Sequence, residues 1–118
     1  MTSEKSTPSA PTSTYRLQLG PGLTLDDAAG LLDYLDRLGA GALYLSQVLT
    51  AAPGSSHGYD VVDPTRVSPA LGGDTAREAL AAKAHALGLG VVADIVPNHM
   101  SVVRADANPW WWDVLAHG

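Results

Sequence analysis

Hydrophobic positions along the chain recur with two different periods, which together predict three strands and two helices. Apolar residues occupy every second position over 14–19, the period of a strand. They recur at helical spacing over 25–38 and again over 75–87, so each of these segments would present one apolar face. The short apolar runs 42–45 and 91–96 have the length and residue types of buried strands that are covered on both faces.

Residues at the ends of the helical segments support their predicted boundaries. Thr24 with Asp27, and Thr75 with Glu78, have the spacing of a capping box, in which two side chains bond to free amides at a helix start. Gly39 stands where the first helix would end. We therefore expect one uninterrupted helix in each segment.

The elements follow the order strand, helix, strand, helix, strand, which describes two overlapping βαβ units in a parallel sheet. Two α/β architectures contain such units: an open doubly wound sheet and a closed eight-stranded barrel. A complete barrel needs about 250 residues, whereas the chain has 118. If the architecture is a barrel, the chain supplies only its first three βα units.

The connection after the second strand, residues 46–73, is far longer than the roughly 2–6 residues usual for a βα turn. It leaves the C-terminal end of that strand, and the segment from Pro97 onward leaves the C-terminal end of the third. Both architectures place their active sites at this edge. We therefore expect functional residues in these two segments.

Composition and charge narrow the class of protein. Hydrophobic residues make up 46% and charged residues 16%, which fits one globular domain over 14–118, while 1–13 is mostly Ser, Thr and Pro and is predicted to be a disordered arm. The net charge is −5 without any run of Lys or Arg, so we expect no nucleic acid partner.

No apolar run approaches the length of a membrane span, about 18 residues, and the N-terminus lacks the apolar core of a signal peptide. We therefore expect no membrane partner and a cytoplasmic location, and the absence of cysteine excludes thiol chemistry.

The long connection contains a first group of candidate binding residues. His57, Tyr59, Asp60 and Asp63 combine an imidazole, a phenol and two carboxylates, which suits a small polar ligand such as a sugar, because a ring can stack on the C–H face of a pyranose while polar groups bind its hydroxyls. The alternative is that Tyr59 anchors the loop and that Asp60 and Asp63 cap turns. Ser55 beside this group is not expected to be a nucleophile, because no G-x-S-x-G elbow is present.

A second group follows the third strand. Asp94 interrupts an apolar strand, and a buried carboxylate needs partners. Asn98 and His99 leave the same strand, so the three could converge on one pocket; the alternative is a structural carboxylate followed by two turn residues. For the tryptophans at 110–112 we favour core packing at a helix start, with Pro109 at the first helical position, over a sugar-stacking platform.

Several motifs, in order along the chain, resemble the alpha-amylase family of glycoside hydrolases and transglycosylases. Residues 94–99, Asp-Ile-Val-Pro-Asn-His, match every fixed position of the family's Asp-x-Val-x-Asn-His motif at the end of the third barrel strand. Residues 58–60, Gly-Tyr-Asp, match its motif after strand two. The resemblance extends over nearly all of the chain after residue 13. Segments that resemble one transglycosylating branch of the family are 14–19, 43–46, 54–64 and 108–113.

The resemblance implies a (β/α)8 TIM barrel, incomplete in this chain, and a retaining mechanism with an Asp nucleophile and a Glu acid/base. Family members place these carboxyl groups after strands four and five, so we expect both to lie beyond Gly118 and no catalytic residue to lie within the chain. Tyr59 would stack under the reacting glucose, and His99 would donate a hydrogen bond to it. Asp60, Asp94 and Asn98 would organise this subsite, and neither a metal nor a cofactor is implied.

The branch that the chain resembles contains isomerases of trehalose biosynthesis. Intramolecular transglycosylation by these enzymes converts the reducing-end α-1,4 bond of a maltodextrin into an α,α-1,1 bond, so the expected substrate is a malto-oligosaccharide. The fragment alone is expected to be inactive. An alpha-amylase-type glucan hydrolase and an inactive, truncated sugar-binding fragment are the alternatives. Gln47 departs from the family pattern, in which Pro follows Leu45-Ser46.

Overall fold

The computed structural model of the protein describes residues 10–118. Residues 1–9, which form most of the predicted disordered arm, lie outside the described residues. The last residue of that arm, Ser13, contacts the fold directly, because its carbonyl oxygen accepts hydrogen bonds from the amides of Gly41 and Ala42 at 3.1 and 3.0 Å. The chain is therefore joined to the sheet from Ser13 onward.

Within residues 10–118 the structure contains five strands and four α-helices. The strands are β1 (Thr14–Leu17), β2 (Ala42–Leu45), β3 (Leu49–Ala51), β4 (Val61–Val67) and β5 (Gly90–Ala93). The helices are α1 (Leu25–Gly30), α2 (Leu32–Leu38), α3 (Gly73–Ala86) and α4 (Pro109–His117). Short 3₁₀ turns precede α3 and α4, at Pro69–Leu71 and Ala105–Ala107.

The predicted parallel sheet is confirmed. β2 lies in the middle, with β1 on one side and β5 on the other, and both pairs are parallel. Helices α1 and α2 lie in the first crossover and α3 lies in the second, as βαβ units require. All three strands therefore end at one edge of the sheet.

The two faces of this sheet differ in character. Leu17, Leu43 and Leu45 belong to the hydrophobic core. The helices contribute to the same core Leu25, Ala28, Leu32, Leu35, Ala76, Leu80 and Ala84. Because side chains alternate along a strand, Arg16 and Tyr44 lie on the opposite face, away from the helices.

The first predicted helix is divided in two, contrary to the expectation of one helix over 25–38. Leu31 lies between the two helices, as the C-cap of α1 and the N-cap of α2, and its amide donates to the carbonyl of Ala28, three residues back, at 3.0 Å. Gly30 beside it is a weak helix former, which favours a break at this point. The predicted capping box at the start and the left-handed glycine at the end are both confirmed.

Helix α3 starts earlier than predicted and without the expected capping box. Its first residue is Gly73, and Gly72 before it takes a left-handed conformation at φ 113°. The chain enters the helix directly from the 3₁₀ turn, and no side chain caps this end. The predicted capping role of Thr75 with Glu78 is therefore wrong.

The long connection 46–73 contains an antiparallel ribbon that the sequence does not predict. β3 and β4 form this ribbon, with register shifts on either side of Thr50. Asp63 and Pro64 interrupt the apolar pattern of β4, and proline is uncommon inside a strand because it cannot donate to the ladder. The pattern of β4 is therefore not that of an ordinary strand.

The C-terminal part is more exposed than the sequence predicts. Val91 and Val92 are 42% and 43% exposed, because within residues 10–118 the parallel sheet ends at β5, so the prediction of a strand covered on both faces is wrong here. The tryptophans at 110–112 are between 39% and 55% exposed, which also contradicts their predicted core packing. Pro109 does take the first helical position, as predicted. None of the described helices is long and apolar enough to cross a membrane.

Candidate functional site

Four polar side chains meet at the C-terminal edge of the parallel sheet. They are Arg16, Tyr44, Tyr59 and Asp94, and we call them the Arg–Tyr–Asp cluster. The carboxylate of Asp94 accepts hydrogen bonds from the hydroxyls of Tyr44 and Tyr59, the latter at 2.7 Å. Arg16 donates to the Tyr59 hydroxyl at 2.7 Å and lies 3.8 Å from Asp94. One carboxylate thus binds two phenols and faces one cation.

Strand register determines where the cluster forms. Arg16 is the partner of Tyr44 across β1 and β2, and Tyr44 is the partner of Val92 across β2 and β5. Asp94 follows Val92 by two residues, so it lies on the same face and nearer the edge. Its amide donates to the carbonyl of Leu45 at 3.0 Å, which extends the pairing beyond β5. The fourth member of the cluster comes from the loop between β3 and β4.

Hydrogen bonds and charge keep Asp94 ionised. Its pKa is lowered first by the hydrogen bond from Tyr44, then by that from Tyr59 and by the charge of Arg16, while partial burial opposes the shift. The pKa of Tyr44 is raised because its proton binds Asp94, and the pKa of Tyr59 is raised by burial and then by the same carboxylate. At neutral pH the cluster therefore contains a carboxylate, a guanidinium and two neutral phenols.

Buried polar contacts support the loop that supplies Tyr59. Gln47 is 1% exposed, and its amide nitrogen donates to the carbonyl of Gly58 at 2.6 Å. The hydroxyl of Ser55 donates to Asp60 and accepts from the amide of Gly58 at 3.0 Å. Gly58 has φ 86°, a conformation that favours glycine. Gln47, where the family pattern has Pro, thus has a structural role of its own in this loop.

His57 packs beside Tyr59. The two rings are 15° from parallel with their centroids 6.2 Å apart, and Nδ1 of His57 accepts a hydrogen bond from the Tyr59 amide at 3.0 Å. The same nitrogen lies 3.9 Å from Asp60. The Ser55 hydroxyl donates its hydrogen bond to Asp60.

Asn98 and His99 lie in an exposed segment after β5. Nδ1 of His99 is 3.0 Å from Oδ1 of Asn98, and the amide of Ser101 joins the segment to β4 by donating to the carbonyl of Val61 at 2.8 Å. Across residues 10–118, no hydrogen bond connects either side chain to the Arg–Tyr–Asp cluster. Neither side chain therefore hydrogen-bonds to Asp94, and the convergence and the roles of these residues stay predictions.

Of the predicted site residues, the structure brings Tyr59 and Asp94 into contact and places Asp60 in the loop behind them. Sequence reasoning missed Arg16 and Tyr44. Both are polar side chains between apolar neighbours, at alternate positions of parallel strands and opposite each other in register. That combination near the ends of strands is the signal that could have identified them.

The nucleophile and the acid/base are expected beyond Gly118, and their identity stays a prediction. The roles of the candidate residues at this edge of the sheet in binding a substrate likewise stay predictions.

A cavity of about 490 Å³ lies beside the loop rather than at the cluster. Its walls include Pro21, Leu49, Pro53 and Leu71. Neither Tyr59 nor Asp94 lines it, so this cavity is not the candidate sugar site. Among the described residues no three His, Asp or Glu side chains are grouped so that they could hold a metal ion. The Arg–Tyr–Asp cluster presents an aromatic ring beside fixed polar groups, an arrangement that suits a neutral polar ligand such as a sugar.

Comparison with known proteins gives a consistent result. The family described as "Alpha amylase, catalytic domain" matches residues 23–110. A "Putative maltooligosyl trehalose synthase" of Mycobacterium tuberculosis is 54% identical over 111 residues, which cover 90% of this chain and 14% of that protein. A malto-oligosyltrehalose trehalohydrolase of Rhizobium sp. is 42% identical over 107 residues, or 88% of this chain and 18% of that protein.

Solved structures give the same picture for the fold. Maltooligosyltrehalose synthase from Arthrobacter ramosus superposes with a TM-score of 0.88 at 57% identity, covering 92% of this chain and 14% of that one. An alpha-amylase from Geobacillus thermoleovorans superposes with a TM-score of 0.74 at 25% identity, covering 86% of this chain and 25% of that one. The chain thus spans about a seventh of the length of the synthases that it matches, and its strands and helices form part of a (β/α) barrel.

Proposed function

The chain belongs to the alpha-amylase family, and from this premise we propose that it is the N-terminal part of a malto-oligosyltrehalose synthase. Its three parallel strands, β1, β2 and β5, are the first three strands of a (β/α)8 barrel. The face with the Arg–Tyr–Asp cluster is then the barrel interior, and the edge where the cluster lies is the end at which barrel enzymes bind their substrates.

The proposed substrate is a malto-oligosaccharide, and the proposed reaction is an isomerisation. The reducing-end α-1,4 bond is broken, a glycosyl-enzyme forms, and the released glucose turns so that its anomeric hydroxyl attacks, which gives an α,α-1,1 bond. One glycosidic bond is broken and one is formed within the same molecule, so no further reactant is needed. Water must be excluded from the glycosyl-enzyme, because otherwise it would take the place of the glucose.

In this reaction the chain provides the sugar subsite rather than the nucleophile. The observation that supports this role is the position of Tyr59, whose hydroxyl is held between Arg16 and Asp94 at 2.7 Å from each. The ring of Tyr59 is proposed to stack under the reacting glucose, and His99 to donate a hydrogen bond to it. Asp60 and Asn98 are proposed to organise the two loops.

A chimeric enzyme tests the proposal. Residues 14–118 replace the matching segment of the Arthrobacter ramosus synthase, and the chimera is incubated with maltopentaose. We expect reducing ends to disappear while the number of glucose units per chain stays constant. The variant Tyr59→Ala in the chimera should lose most of this conversion, whereas Tyr34→Ala, which changes a 60% exposed ring on α2, should retain it.

Two outcomes would contradict the proposal. A chimera that folds, as judged by circular dichroism and gel filtration, but converts no maltopentaose would show that the chain does not supply a working subsite. A chimera that increases the number of reducing ends would favour the alternative of a glucan hydrolase.

A further inference from the structure

Arg16 makes four separate contacts at the edge of the sheet. Its Nη2 donates to the hydroxyl of Tyr59 at 2.7 Å and lies 3.8 Å from Asp94. Its Nη1 donates to Oε1 of Gln18 at 2.9 Å, and its guanidinium carbon is 5.6 Å from the centre of the Tyr44 ring. Both terminal nitrogens and the flat face of the guanidinium are therefore in use.

This set of contacts requires an arginine. A lysine ammonium is a compact charge that cannot direct two donors in one plane while lying over an aromatic ring. The side chain is also 41% exposed, and exposed ion pairs contribute little to stability. Stabilisation of the fold alone therefore does not explain so many ordered contacts.

The contacts of Arg16 determine what Tyr59 presents to a ligand. The hydroxyl of Tyr59 donates a hydrogen bond to Asp94 and accepts one from Arg16, so its hydrogen-bonding capacity is mostly used within the protein. Gln18, which Arg16 binds, donates to the carbonyl of His57 at 3.3 Å. β1 and the residue that follows it thus hold the Tyr59 loop at two points, and the ring rather than the hydroxyl remains for binding.

We propose that Arg16 is a positioning residue of the sugar subsite. It holds the ring of Tyr59 at one angle for a glucose unit and does not itself touch the sugar. The proposal rests on the proposed function, because it requires that Tyr59 binds sugar.

The first test measures Tyr59 in the 118-residue chain without any sugar. All four tyrosines are replaced by 3-fluorotyrosine, and the ¹⁹F signals are followed against pH, with Tyr59→Phe identifying the Tyr59 signal. Arg16→Gln removes a positive charge that favours the phenolate, so Tyr59 should ionise at higher pH, while Arg16→Lys should give a smaller shift. At pH 7, Arg16→Gln should leave the ¹⁹F signal of Tyr34 unchanged, because this exposed ring lies on α2, away from Arg16. An unchanged Tyr59 titration in Arg16→Gln would overturn the proposal.

The second test measures kinetics in the chimeric synthase. A small displacement of a group that positions the substrate lowers the reaction rate strongly. Arg16→Gln should therefore lower kcat/KM about tenfold or more, and Arg16→Lys should show a smaller loss. In a Tyr59→Ala background the same Arg16→Gln change should cost less than about twofold, because Arg16 acts through Tyr59. Equal losses in both backgrounds would overturn the proposal. If the parent chimera is inactive, the proposed function fails, and the fluorine titration still decides whether Arg16 acts on Tyr59.

Discussion

The variant Tyr59→Phe tests whether the Arg–Tyr–Asp cluster stabilises the fold through its charges. The change removes one oxygen, which donates a hydrogen bond to Asp94 and accepts one from Arg16, both at 2.7 Å. The ring and its contact with His57 remain. The variant therefore removes hydrogen bonds while it conserves packing.

The expected loss of unfolding free energy is about 1 kcal/mol at pH 7. Hydrogen bonds to charged groups contribute about 1.5–3 kcal/mol when buried, but water reaches this cluster and weakens them, so we take a value below that range. With a urea slope of roughly 1–3 kcal/mol per molar, the unfolding midpoint should fall by about 0.3–1 M. Urea unfolding followed by circular dichroism measures this difference, at a protein concentration low enough for light scattering to show a monomer, because self-association would add to the apparent stability.

The difference in unfolding free energy between the parent and Tyr59→Phe should depend on pH if it arises from charge, and should not if it arises from packing. The pKa of Asp94 is lowered in the folded chain, so the unfolded chain binds more protons, and the stability from this carboxylate is present above its unfolded pKa of about 3.9. That stability is lost as the pH falls through the folded pKa. Tyr59→Phe removes one of the two phenol donors and moves the folded pKa back toward the unfolded value. The difference between parent and variant should therefore be largest near pH 7 and shrink below about pH 4.

Protonation of other carboxylates also lowers the free energy of unfolding in acid. Among them are Asp27 and Asp63, whose pKa values are lowered by hydrogen bonds from Thr24 and Thr65. Their effect is common to parent and variant and cancels in the difference. Tyr34→Phe is the control, and it should change nothing, because its ring is 60% exposed. A Tyr59→Phe loss that stays constant from pH 7 to pH 3 would refute the electrostatic explanation.

Three further predictions concern activity and association. The 118-residue chain alone should not convert maltopentaose, because the proposed nucleophile and acid/base lie on later strands, beyond Gly118, and turnover above a buffer blank would contradict this. In the chimera, His99→Ala should lower kcat/KM by the equivalent of roughly 1–3 kcal/mol, about 5- to 150-fold; an unchanged kcat/KM beside a lower melting temperature would mean that His99 is only a turn residue. The isolated chain should self-associate, because β5 is an unpaired edge within residues 10–118 and the tryptophans at 110–112 are exposed. Size-exclusion chromatography with light scattering measures this, and a sharp monomer peak with cooperative melting would show the prediction to be wrong.

The parallel sheet could be predicted from sequence because its signal is local. Apolar residues alternate over β1, and β2 is a short apolar run between Gly41 and Ser46, so no distant partner is needed to recognise either strand. The break at Leu31 could not be predicted in this way, because the helical spacing of apolar residues continues through it. The ribbon of β3 and β4 depends on pairing rather than on pattern, and Pro64 within it is typical of a turn.

The cluster could be predicted only in part, for a related reason. Tyr59 and Asp94 lie in recognisable motifs, but the hydrogen bond between them joins residues 35 positions apart, and those of Tyr59 with Arg16 and of Asp94 with Tyr44 join residues 43 and 50 positions apart. Such contacts become visible only when strand order and register are known. A polar residue within a buried strand is ambiguous until its neighbours are placed.

The directions of the pKa shifts indicate the part that the cluster takes in the proposed reaction. A general acid or base works best when its pKa lies near the operating pH. Here the pKa of Asp94 is lowered and the pKa values of Tyr44 and Tyr59 are raised, so each of these pKa values moves further from neutral pH. Groups with fixed protonation states suit the orientation of a neutral sugar, and they are poor partners for proton transfer. The proton transfers of glycosyl exchange must then be performed by other side chains, as expected if the catalytic carboxylates follow later strands of the barrel.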